Sequence, residues 1–251
     1  MNRRIIINAD DCGISQQVNT EIKKCIEQGK ITSTTIMANG ADFEGAVYLY
    51  KQYNKVISFG WHLNLDEGLA LTRSQLLLDK GFFIEQDNKI YLNGSSFGSS
   101  IFNKEMSLEI KKELREQYIK LRDNGIEVTH ADSHHFFHTH FSMVRIIPSI
   151  LKELNIYRCR QISNYGIGGI NGLVRQFWTN YFKSKGLRMP DTFCFFKDYY
   201  NNSMLKQGES IELMIHPGHL KYPYKEEYEL MLKTDYDKNW PTVKLITYKD
   251  I

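Results

Sequence analysis

The sequence predicts an α/β fold: a distorted, TIM-like (β/α) barrel of mostly parallel strands, folded as a single domain. Three observations predict it. Apolar runs of strand length alternate with amphipathic segments of helix length. About seven such strands fit in 251 residues, a length that α/β barrels commonly have. Side chains able to bind metal or move protons recur at the predicted strand ends.

Taking the elements in order, Ile5, Ile6 and Ile7 make residues 4–9 a buried strand, and 10–13 read as the turn that ends it. Ser15 is placed to cap a helix whose Val18, Ile22, Cys25 and Ile26 share one face, with Gly29 past its end. The unit then recurs as strand 31–38, helix 42–53 and strand 56–63. A helix over 107–123, closed by Gly125, leads to a strand over 127–132 and a helix over 142–154. Further strands are expected at 156–161, 192–196, 211–215 and 243–247, with helices at 171–185 and 225–233. Residues 66–105 interrupt the rhythm. Alternating residues around Asp87-Asn88 predict a hairpin within 81–94, and the segment's place after the third strand makes it an expected lid on the one domain spanning 1–251.

The composition, 42% hydrophobic and 24% charged, is that of an ordinary soluble globular protein. Lys and Arg number 32 against 29 for Asp and Glu, and the net +3 is spread without basic runs, which argues against a nucleic-acid partner. No apolar stretch reaches the roughly eighteen residues of a membrane span, and Met1 to Asn8 does not read as a signal peptide. Cys12, Cys25, Cys159 and Cys194 stand apart without metal or disulfide spacing, so a reducing cytoplasm is expected.

The chemistry is positional. Asp10-Asp11, His62, the histidines of 130–140 and His216 all fall at or just past the C-terminal ends of predicted strands, which converge on one face of a parallel barrel. Singly, each has a plain explanation: an Asp pair caps helices, and a lone strand histidine such as His62 is ordinarily a hydrogen-bonded core residue. Five of the chain's eight histidines within 130–140 are harder to explain as chance. Alternation puts His130, Asp132 and His134 on one side of a strand. Asp132 is then placed to orient a ligand imidazole. A centre built from Asp10, Asp11, His62 and His134 offers carboxylate and imidazole donors, and one carboxylate with two imidazoles leaves positions open for water and substrate. Two adjacent carboxylates can also divide labour, one holding a cation and the other accepting a proton. His216, before a Pro-Gly turn, suits proton donation to a leaving amine. Of Arg158 and Arg160, one could orient Asp10 through a bidentate pair, with a surface ion pair as the competing reading. Cys12 reads as packing.

At these residues the chain resembles the YdjC/ChbG-like carbohydrate deacetylases. The resemblance rests on Asn8-Ala9-Asp10-Asp11-Cys12-Gly13, Gly29 through Ser33-Thr34 to Asn39-Gly40, His62-Leu63 with Glu67-Gly68, His130-Ala131-Asp132-Ser133-His134, and His216-Pro217-Gly218. Leu245 to Tyr248 is similar to the family's ending. The resemblance implies a distorted (β/α) barrel that removes acetyl groups from N-acetylated sugars with a divalent metal. It implies Asp11, His62 and His134 as metal ligands, Asp10 as general base and His216 as general acid. It points to Mg²⁺, whereas imidazole ligands suit Zn²⁺. A homodimer is implied by analogy. The rival readings are another barrel metallohydrolase, such as a phosphoesterase, and a non-catalytic carbohydrate-binding protein.

Overall fold

Three β-branched residues in succession, Ile5 to Ile7, are wholly buried and carry β1 (Arg3–Cys12) through the middle of the molecule. The computed structural model describes residues 3–96, 101–162, 168–201 and 209–251. After β1 come α1 (Gln16–Glu27), β2 (Ser33–Ile36), α2 (Phe43–Tyr53), β3 (Ser58–Leu63), α3 (Gln75–Asp79), β4 (Phe83–Gln86), β5 (Lys89–Leu92) and α4 (Lys104–Asp123). The second half holds β6 (Ala131–Ser133), α5 (Met143–Glu153), α6 (Gly169–Ser184), β7 (Thr192–Phe195), α7 (Phe196–Asn201), β8 (Ser210–Ile215), α8 (Tyr224–Lys233), α9 (Tyr236–Asn239) and β9 (Val243–Leu245).

The main sheet runs β6-β3-β2-β1-β8-β7, every neighbouring pair parallel. β8 lies along one edge of β1 from Arg4 to Ala9. The other edge is shared, β9 taking Arg3 to Ile5 and β2 taking over from Asn8. Past β6, among the described residues, the ladder continues only as single bridges, Ala131 to Cys159 and Arg158 to Arg188. The strand expected over 156–161 is therefore reduced to bridging residues, because the three-residue β6 offers so short a ladder.

The sheet is curled. With strands about 4.8 Å apart, Arg160, one step beyond β6, would lie roughly 19 Å from β1 if the sheet were flat. Instead its guanidinium bonds Asp10 on β1 at 2.7 Å and Glu212 on β8 at 2.7 Å. Helices pack outside the curl. On α5, for example, Val144, Ile147 and Leu151 are buried in the core, each contributing on the order of 2 kcal/mol.

Two local features differ from or refine the sequence expectation. β1 does not turn at Asp10 but runs on to Cys12, and its register with β2 shifts between Ala9 and Cys12 around Asp11, whose φ is +67°. That bulge re-aims side chains at the strand end. The hairpin of β4 and β5 forms as expected, with Asp87 (φ +51°) and Asn88 (φ +59°) both left-handed, as a two-residue type I′ turn requires. It sits in the 66–105 segment, of which residues 97–100 lie outside the described residues. The buried Glu113 of α4 ties the segment's start down, accepting from Leu71 N at 3.0 Å and Thr72 N at 2.8 Å.

Candidate metal centre

Strands β1, β3 and β6, and the turn past β8, deliver polar side chains to one end of the curled sheet. The bulge in β1 lets adjacent Asp10 and Asp11 both enter the interior, where strict alternation would send one outward. β3 supplies His62 and β6 supplies Asp132. Just past β6, His134 opens an irregular turn in which His135 (φ +46°) and Phe136 (φ +56°) are left-handed, a conformation bulky residues adopt at a cost. Past β8, His216 and His219 bracket a Pro-Gly turn. Gly218 has φ +81°, and a Cβ there would lie 3.0 Å from the Val18 Cα of α1.

Asp11 is the hub. Its Oδ1 lies 3.0 Å from His62 Nε2 and 2.8 Å from His134 Nδ1, and its Oδ2 lies 3.1 Å from His219 Nε2. The other side of His62 is fixed, with Nδ1 2.7 Å from Asp132 Oδ1, and Thr35 Oγ1 donates to Asp132 Oδ2 at 3.0 Å. With the Nδ1 proton committed to Asp132, Nε2 presents a lone pair to Asp11. Neither His62 Nε2 nor His219 Nε2 is aligned for a hydrogen bond, although both are buried within about 3 Å of a carboxylate oxygen. Facing lone pairs at that distance need positive charge between them, a proton or a metal ion. Donors bound at 2.0–2.2 Å and at right angles around an ion lie about 3 Å apart, which matches these separations. The donor atoms of Asp11, His62 and His134 all fall within 4.8 Å of one another, so the set fits a divalent cation.

The electrostatics agree. Burial pushes Asp11 up, but the imidazoles of His134, His219 and His62 beside it outweigh burial and hold the carboxyl well below its usual range. Burial opposes protonation of His62, and Asp132 and Asp11 reverse this, raising it well above the ordinary value. His134 rises to about 9 despite burial, through Asp11 and through Glu67, whose Oε1 is 2.9 Å from His134 Nε2. All three groups are thus tuned by neighbours that want positive charge in this space.

Asp10 belongs to a different network. Arg160, with its side chain fully buried, grips it with two bonds, NH1 to Oδ2 at 2.8 Å and NH2 to Oδ1 at 2.7 Å. Asn8 Nδ2 adds a third at 2.8 Å. Burial raises the carboxyl's pKa and Arg160 more than offsets it, leaving Asp10 below the usual range. His216 Nε2 stands 3.9 Å from Asp10 Oδ2, and burial lowers this imidazole to about 4.

The structure thus brings Asp10, Asp11, His62, Asp132, His134, Arg160 and His216 together. It does not bring Arg158, whose Nε donates to Ile251 O at 3.0 Å, away from the centre. The two arginines differ because Arg160 points into the curl and Arg158 lies below it, toward 249–251. His130 is buried beneath the centre, 3.2 Å from Ser33 Oγ and stacked on Tyr248. His138 is buried against Ser133, while His135 is exposed and pairs with Asp66 at 2.6 Å. Cys12 is buried, which pushes its thiol up to about 12, as packing implies.

His219 and Glu212 have no part in the sequence reading, and Glu67 enters it only in a motif, with no role. His219 had a signal, since it mirrors His216 across the Pro-Gly turn, and Glu67 follows His62 within one loop. A glutamate inside the apolar run of β8 was the signal for Glu212. The centre opens into a cavity of about 680 Å³ whose walls include Phe136, Leu220, Lys221 and Tyr224. No described helix is long and apolar enough to cross a membrane.

Four matches relate the chain to known proteins. The YdjC-like protein family profile matches residues 4–239, nearly the whole chain. A carbohydrate deacetylase of Clostridium beijerinckii is 29% identical over 99% of this chain and 100% of its own. Another from Brevibacillus brevis is 34% identical over 62% of this chain and 57% of its own. Among solved structures, a candidate cellobiose-phosphate cleavage protein from Enterococcus faecalis V583 superposes with a TM-score of 0.74 at 19% identity. That alignment covers 100% of this chain and 99% of the other, a likeness of fold.

Proposed function

This chain belongs to the YdjC-like protein family, and from that premise we propose that it is a metal-dependent carbohydrate deacetylase, hydrolysing the N-acetyl amide of a sugar or short oligosaccharide. The observation that carries the reading is the division of two adjacent buried carboxylates. Asp11 faces three imidazoles, and Asp10 is clamped by one guanidinium.

Asp11, His62 and His134 would hold the ion, which when bound polarises the acetyl carbonyl and makes a water acidic. With three nitrogens ranged around one carboxylate, the donors suit Zn²⁺ or another transition ion better than Mg²⁺. Asp10 takes the proton of the attacking water, and Arg160 keeps it ionised until then. His216 delivers a proton to the departing amine. It begins neutral, so it must first receive that proton, and Asp10 at 3.9 Å is the acceptor that has just gained one. Phe136 and Tyr224 offer aromatic faces to a sugar ring, and segment 66–105, which carries Glu67 to the mouth, acts as the lid.

The four cysteines are free and buried, in keeping with a cytoplasmic protein, and a homodimer is the assembly to expect by analogy. The deciding experiment is an acetate-release screen over N-acetylated mono- and oligosaccharides, using protein stripped of metal and reloaded with each ion. Phosphate release from sugar phosphates, or oligosaccharide binding with no acetate released under any ion, would sink the reading.

A further inference from the structure

Arg160 is shared among three buried carboxylates. Besides Asp10, it meets Asp132 Oδ2 at 2.8 Å and Glu212 Oε1, the latter through both Nε (2.8 Å) and NH2 (2.7 Å). Glu212 lies on β8 on the same face as Met214, which lines the cavity, but one pleat deeper, and is 0% exposed. Its free oxygen, Oε2, accepts the phenolic hydrogen of Tyr248, which is also 0% exposed.

Tyr248 is itself held from all sides. Residues 246–248 continue β9 across the lower end of the sheet, Ile246 N donating to Ile5 O at 2.8 Å and Tyr248 N to Ser58 Oγ at 3.3 Å. The ring stacks on His130 with centroids 3.6 Å apart and planes within 9°. His130 fits there because β3 has Gly60, where a Cβ would come within 2.5 Å of its ring. Thr247 and Asp250 close a capping box around the segment.

We propose that Tyr248 and Glu212 are positioning residues for catalysis: the phenol fixes Glu212, Glu212 fixes the guanidinium plane of Arg160, and that plane sets the angle of the Asp10 carboxylate. The inference rests on Asp10 being the base. A carboxylate that engages Nε and NH2 removes the rotational freedom of the guanidinium, leaving NH1 and NH2 for Asp10 in one orientation. Nothing else among the described contacts of Glu212 holds its second oxygen. Residues remote from the cavity, at the opposite end of the curl, thus act on the reaction through two intermediates.

The test is a double-mutant cycle on the metal-loaded full chain, with Tyr248→Phe, Glu212→Gln and the double variant. kcat should fall on the order of tenfold in each single variant, with KM within about twofold and bound metal per chain unchanged. The double variant should lose no more than Glu212→Gln alone, because Tyr248 acts through Glu212. Wild-type kcat in Tyr248→Phe, losses that multiply in the double variant, or a change confined to melting temperature would overturn the proposal. If Tyr248→Phe does not fold, the split between kcat and KM in Glu212→Gln decides alone. Wild-type acetate release, measured alongside, separates failure of this inference from failure of the deacetylase reading. A crystal structure of Glu212→Gln adds a readout independent of activity: a two-bonded Arg160–Asp10 pair with unchanged angle counts against the proposal.

Discussion

At the scale of single residues, two carboxylates one position apart sit in unlike networks, Asp11 among imidazoles and Asp10 against a guanidinium. Replacing Asp10 by Asn keeps its shape but removes the basic oxygen, so kcat should drop by about 10²–10⁴ while metal content, read by plasma emission, stays whole. His62→Ala should lose the ion instead, since His62 Nε2 faces Asp11 and its other nitrogen is committed to Asp132. His219 faces the second oxygen of Asp11, at 3.1 Å. His219→Gln should weaken metal binding by about ten- to a hundredfold, measured by competition with a chelating dye. An unchanged affinity would make His219 a substrate-facing residue. Asp10-Asp11 and His216 were visible in the sequence as chemistry-bearing residues. Which nitrogen faces which oxygen was not, because orientation comes from Asp132, Thr35 and Arg160, up to 150 positions away.

At the scale of elements, the site depends on turns that only certain residues can make. Gly218 sits at φ +81° against the backbone of α1, so Gly218→Ala should cost about 1–3 kcal/mol in urea unfolding and also reduce activity, as the turn carries both flanking histidines. The helix pair α7 and α8 carries a pH dependence. Glu227 of α8 is 2% exposed, accepts from Lys197 N at 3.0 Å, and is raised by burial to about 7. The folded state therefore holds a proton that the unfolded chain, near 4.5, has already released. Stability from this group is fully present below about pH 4.5 and is lost as pH rises through 7, by roughly 3 kcal/mol. Glu227→Gln should remove that decline relative to wild type, measured by urea unfolding at pH 5 and pH 7.5. Helix positions were legible because amphipathic spacing is local: α1 starts after its Ser15 cap as expected. The ends of β1 and the loss of the 156–161 strand were not, because a bulge and a three-residue partner are properties of pairing between distant segments.

At the scale of the whole molecule, the curl is the functional device. It folds a sheet whose ends would be far apart until Arg160 can touch β1 and β8 together, and it gathers buried negative charge that a divalent ion would offset. An ion that needs the assembled set of donors should stabilise the fold by about 2.7 kcal/mol at a hundred times its Kd. Stripping it with chelator should lower the melting temperature, and re-addition should restore it. The sequence alone determined the alternation of strands and helices, the end of the sheet on which chemistry gathers and the residue types present there, since all three follow from local periodicity and from the direction of parallel strands. Only the tertiary structure decided that Arg160 and not Arg158 grips Asp10, that His219 joins the centre, and that Tyr248 stands beneath it. Those outcomes depend on how far the sheet curls, and curl is set by pairing and packing summed over the whole chain.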